Sequence, residues 1–422
     1  MRRTRHGSLG LAATLNVVAA LVLVGCVSPS PTPTGGPPNS SGPGSSPVRP
    51  GQSASPAANG SPVSPTATPS EIPAPPSASR AAVNWSRVAN LSQGTSVAVD
   101  FISTQDGFVA VGFALGQPDD QNPLGGGSAV WRSKDSERWT PVARQASLLG
   151  SVMSDVVEWR EGVLAVGPSA VFCMHCTENE LARQGTSVWS SADGRQWTRV
   201  TATGLEKALV SGLRQTDAGV EAYGAAATDG DFPRAAIWTS ADGASWTETT
   251  APSGERVATM VELGQRQFAL TFTQSVGALG ASTDGVAWQP AESGSNDVRG
   301  LTASSSESLA VGYSSELGHG VFLSTDGESW EAIGGLPMAA APDYVTWIGD
   351  RYVALAPIGW DAQRKPKWHV WLSTEGRTWD DGGALPQSRD LAYLTGIVGL
   401  PGHAMVLGNW GSAAVWSVTP KS

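Results

Sequence analysis

Few residues of this 422-residue chain stand in patterns that could do chemistry. Two of its three cysteines form Cys173-Met-His175-Cys176, followed by Glu178 and Glu180. A redox pair sits at a helix N-terminus in a thioredoxin-like unit. A metal site needs more ligands than this pair and His175 supply. A disulfide between Cys173 and Cys176 is therefore the simplest of the three readings in an oxidising compartment. Haem attachment is excluded, because His precedes the second Cys instead of following it. Asp229-Gly-Asp231 offers two carboxylates, but it lacks the further oxygen ligands of a calcium loop and reads as a solvated turn. The segment Gly359-Trp360-Asp361-Ala-Gln-Arg364-Lys-Pro-Lys-Trp368 sets aromatics beside Asp and Arg, as a sugar-binding face or a protein hot spot does. A buried Trp among solvated charges is the plainer alternative. Tyr313, His319 and Trp410 fall near the same expected rim. No nucleophile elbow, phosphate loop or His-Glu-x-x-His occurs, so no catalytic residue, metal or cofactor is assigned.

The N-terminus reads as an address. Arg2, Arg3 and Arg5 precede an apolar run from Leu9 to Val24, which is short and wrongly flanked for a membrane span. It ends Leu23-Val24-Gly25-Cys26, which resembles the bacterial lipobox. That resemblance implies a signal peptide over residues 1–25, lipid on Cys26, and an extracytoplasmic location at the membrane. Residues 26–80 form a linker; of the 54 residues after Cys26, 15 are Pro. Such a composition cannot bury enough apolar area to order itself. The remaining residues, 81–422, carry 22 basic and 36 acidic side chains, a balance that argues against nucleic acid as a partner.

The elements that must position any site come from a repeat. Six segments share one pattern: Trp131 to Trp139 around Asp135, Trp189 to Trp197 around Asp193, and Trp238 to Trp246 around Asp242. The others run from Ser282 to Trp288 around Asp284, Ser324 to Trp330 around Asp326, and Trp371 to Trp379 around Glu375. The closing Trp residues recur at intervals of 58, 49, 42, 42 and 49. Before each box lies an apolar hairpin, as at Val99–Gly112, Val156–Gly167, Leu301–Gly312 and Val345–Leu355. Weaker copies are Leu213–Gly224, Val257–Leu270 and Ile397–Gly408. Seven hairpins and six boxes give seven four-stranded blades (strands A to D) if Asn84-Trp85-Ser-Arg-Val88 supplies the missing outer strand of the last blade. Closure of this kind removes a free sheet edge. The expected fold is an all-β seven-bladed β-propeller over residues 81–422, with six blades as the alternative.

The box resembles the Asp-box, or bacterial neuraminidase repeat, with Gly directly after Asp instead of one residue later. The resemblance implies a sialidase-like fold with boxes on one face and ligands on the other, built by B–C and D–A loops. The box Asp, Gly and Ser suit a tight turn, and the Trp suits packing between blades. A metal or catalytic Asp is the competing reading. Asp135 lacks the Gly and Glu375 replaces Asp, so weaker turns are expected there. The sialidase Arg-Ile-Pro motif is absent. The expected function is a lipid-anchored binding or scaffold module at the bacterial envelope, with a protein or carbohydrate partner on the loop face. Trp360, Asp361, Arg364, Asp229, Asp231 and His319 are its candidate contacts. A glycoside hydrolase working through two loop carboxylates is the alternative.

Overall fold

The computed structural model describes residues 83–88, 91, 96–114, 126–169, 176–291, 297–314, 318–333, 342–360, 366–385, 393–409 and 413–421. The signal segment, the linker, Cys26, Cys173, Asp361, Arg364 and Trp410 lie outside them.

The chain folds as a seven-bladed β-propeller of seven four-stranded antiparallel sheets. Blade one comprises Ser96–Thr104, Gly107–Ala114, Gly127–Ser133 and Thr140–Pro141, as strands A to D from the inside outward. The A strands of the next five blades begin at Asp155, Ala208, Arg256, Asp297 and Tyr344. Blade seven takes Tyr393–Leu400, His403–Asn409 and Ala413–Pro420 from the C-terminus and Val83–Arg87 from the N-terminus. There Arg87 lies opposite Trp416, as Arg199 lies opposite Trp189 inside blade two. The first described strand thus closes the ring.

The B strands read as unbroken apolar runs because both their faces are covered by neighbouring blades. Leu164, Ala165 and Val166 are buried, as are Leu309, Ala310 and Val311. Side-chain volume is balanced across the B–C pairs of blades one, two, three and six. Ala110, Ala165, Ala222 and Ala354 lie opposite Trp131, Trp189, Trp238 and Trp371, so each small residue makes room for the indole on the next strand. A β-bulge interrupts the A strands of blades one, three, four, five and seven near their loop-face ends. Such bulges re-aim side chains without ending the strand.

Candidate functional site

The box turns are built from the aspartate outward. Asp242 Oδ1 accepts from the Ser240 hydroxyl (3.0 Å) and from the amides of Ala244 (2.8 Å) and Ser245 (2.7 Å). Asp193, Asp284 and Asp326 hold the same two amides and the same serine hydroxyl in their own turns. These amide bonds hold the carboxyls of Asp193, Asp242, Asp284 and Asp326 below the ordinary carboxylate range. The turn at Asp135 keeps the two amide bonds without the glycine. Its Oδ1 still accepts from Glu137 (3.0 Å) and Arg138 (2.8 Å), because Ser136 takes φ 60° in place of the glycine. Glu375 accepts only the Thr378 hydroxyl, at 2.7 Å.

The box glycine serves packing as well as turning. Gly376 has φ 74°, and a Cβ there would stand 2.7 Å from Leu323 Cδ2 of the preceding blade. The closing indoles reach across the same seam. Trp197 packs with Val109 and Val111 of blade one, Trp246 with Leu164 and Val166 of blade two, and Trp379 with Leu309 and Val311 of blade five. Trp139, Trp197 and Trp379 also donate their indole N–H to backbone carbonyls of their own turns. Trp288 and Trp330 are half-buried against the preceding blades' clusters.

The opposite face carries the loops. Among them, the connection between strands B and C of blade two forms a helix, Glu178–Arg183, where the sequence predicts a loop. Thr177 and Glu180 close a capping box at its start. Asn179 and Arg183 donate to the carbonyls of Thr228 and Gly230 in the blade-three loop. Glu178 pairs with Arg256 of blade four at 3.0 Å. One short helix thus clamps three blades together on this face. Cys176, just before the helix, is disulfide-bonded and packs beside Leu181 and Leu209.

Asp229 and Asp231 stand exposed on the turn that this clamp holds. His319 lies in strand C of blade five opposite Tyr313, and Trp360 ends strand B of blade six opposite Pro366. These candidates share the loop face but sit on three different blades. Among the described residues, no group of three or more His, Cys, Asp or Glu side chains could hold a metal ion. Beside Tyr313, which the sequence places near this rim, the face carries exposed apolar side chains that the sequence does not single out. Phe232 (58%), Val276 (54%), Tyr313 (45%) and Ile358 (40%) all stand at B–C ends, on blades three, four, five and six in turn. Of the large apolar residues exposed among those described, Val286 is on the box face.

A second feature the sequence reading missed is buried. Asp100 and Asp155, on the A strands of blades one and two, are 4% and 3% exposed. Asp100 Oδ2 accepts the Val156 amide of the next blade at 3.0 Å, and Asp155 accepts the Leu213 amide of blade three. Burial pushes the Asp100 carboxyl up to about 7. Burial and the neighbouring Asp100 push Asp155 upward as well. The visible signal was an Asp at equivalent places in two apolar runs, Ala98-Val-Asp100-Phe-Ile102 and Ser154-Asp155-Val-Val157.

No protein-family model matches the chain, and no curated protein matches it. Solved structures do. A catalytically inactive virginiamycin B lyase from Staphylococcus aureus, with quinupristin, aligns at a TM-score of 0.52 and 11% identity, covering 80% of this chain and 99% of that one. YCF48 bound to D1 peptide aligns at 0.49 and 12% identity, covering 81% and 97%. A Trypanosoma rangeli sialidase in complex with the inhibitor DANA aligns at 0.45 and 12%, covering 79% and 59%. The likeness to the lyase is one of fold alone, and fold does not carry function.

Proposed function

We propose that this chain is an extracytoplasmic binding module that docks a protein partner on the B–C loop face of its propeller. In this reading the Asp-box-like turns are structural, Cys26 carries the lipid that holds the chain at a bacterial membrane, and Cys173 and Cys176 are bonded to each other. The observation that carries the docking face is the run of exposed Phe232, Val276, Tyr313 and Ile358 over four successive blades. Apolar side chains left in solvent at the same end of four successive blades of a rigid scaffold offer an interaction surface. The helix clamp from Asn179 and Arg183 supplies that rigidity on blades two and three.

Val83 lies opposite Pro420, where strand C of every other blade runs into its box turn, so the first described strand begins on the box side. The test is photo-crosslinking on intact cells, with a crosslinking phenylalanine analogue at position 232, 313 or, as the box-face control, 286. The expected result is one protein band from the first two positions and none from the third. Equal products from all three, or hydrolysis of a glycoside by the purified chain, would reject the reading.

A further inference from the structure

Five other blades show what the register position of Asp100 and Asp155 requires. Asp100 lies opposite Val111 and Asp155 opposite Val166 on strand B. The matching residues in blades three to seven are Gly212, Thr259, Gly300, Tyr344 and Gly396. A blade therefore forms without a carboxyl there. Two adjacent blades nevertheless place one, both at full burial and both reaching across to a backbone amide of the next blade. The charged residues on the strands packed around them are Arg132, Glu158, Arg214 and Glu221, and Arg132 acts on Asp193 in the box turn of blade two. Arg214 is bound to Glu221 and Glu262, and the one charged group acting on Asp155 is Asp100. Two carboxylates with no cation between them cannot both stay ionised in so dry a place.

We propose that Asp100 and Asp155 form a proton-binding site that joins blades one, two and three on the inner wall of the ring. A proton taken from solvent converts one carboxylate to the neutral acid, which removes the like-charge repulsion. Each group keeps an oxygen for the amide of the neighbouring blade. When the site loses its proton, two buried negative charges are left on adjacent blades and the blade contact loosens.

The test uses the full chain, in detergent, with Asp100→Asn and Asp155→Asn together as the variant. Asn keeps the shape and the acceptor oxygen but cannot release a proton. Three readouts apply. Infrared spectra of the wild type at pH 6 are expected to hold a protonated-carboxyl band that the variant lacks. The unfolding equilibrium constant of the wild type is expected to rise about tenfold more per pH unit than that of the variant between pH 5 and 7, which is about one proton of difference. The protection of the Val156 amide, its exchange rate relative to the unstructured amide at the same pH, is expected to fall over the same range in the wild type alone. Absence of the band in the wild type, which requires no variant to fold, overturns the proposal. So does an unfolding slope equal in the two proteins.

Discussion

At the scale of the residue, the box turns show that one methylene decides a hydrogen-bond set. The five aspartates each capture two successive turn amides and a serine hydroxyl. Glu375 is one carbon too long, and its carboxylate takes only the Thr378 hydroxyl while the Ser373 hydroxyl alone receives the Gly376 amide. The blade-three turn shows what an Asp would gain there. Asp242 binds both amides and, through its second oxygen, the Ser245 hydroxyl that matches Thr378. Glu375→Asp is therefore expected to stabilise the chain by about 0.5–1.5 kcal/mol, as one or two added hydrogen bonds do. Urea unfolding checks it through the midpoint, with the slope unchanged. An unchanged or lowered midpoint would mean that the blade-six turn is set by its backbone and not by its carboxylate.

At the scale of the element, the outer strand of blade seven carries more than its length suggests. Val83–Arg87 pairs along all of Ala413–Pro420 that it can reach, and Trp85 packs among Val353, Leu372 and Trp416. Removing residues 83–88 strips Trp85 from that cluster and leaves strand C of blade seven with an unpaired edge. The truncated chain is expected to lose stability by several kcal/mol and to associate at concentrations where the intact chain is monomeric. Size-exclusion chromatography and unfolding midpoints check both effects, and a truncated monomer of unaltered midpoint would show that closure is carried by the A-strand ring alone. This strand was legible in the sequence, because Trp85-Ser-Arg-Val88 repeats Trp197-Thr-Arg-Val200. So were the hairpins, since Gly-bounded apolar runs recur at a fixed distance from each box. The helix Glu178–Arg183 was not read, although Thr177 and Glu180 stand at capping-box spacing; six residues carry too little apolar periodicity to announce a helix. The loop face was legible as a face, but Phe232, Val276 and Ile358 were not singled out. An apolar residue at a strand end reads the same whether it packs inward or stands in solvent. Asp100 and Asp155 were missed for the opposite reason, since an acidic residue in a strand suggests exposure until neighbouring blades are placed around it.

At the scale of the whole molecule, the titratable groups divide into two sets with opposite effects. Asp135, Asp193, Asp242, Asp284 and Asp326 are held below their ordinary value by turn amides. Their contribution to stability is complete above the unfolded value of 3.8 and is lost as the pH falls through their folded values. Asp100, Asp155 and Glu307 are shifted upward by burial. The folded state binds their protons more tightly, so their contribution is complete below the unfolded value and is lost as the pH rises, through about 7 for Asp100. His403 is held low by burial and works against this second set, favouring the folded state above its unfolded value of 6.5. The formal charge of −10 adds self-repulsion as carboxyls ionise. Three upward-shifted carboxyls outweigh one histidine, so stability is expected to peak near about pH 5 and to fall on both sides, instead of holding across the usual range up to about 8. Urea midpoints from acid to alkaline pH measure this. Neutralising Asp100 and Asp155 is expected to flatten the limb above the peak and to leave the acid limb, which belongs to the box aspartates, where it is. A wild-type profile that is level from pH 5 to 8 would mean that the inner seam gives up its protons at no cost, and that apolar packing between blades alone sets the stability of the ring.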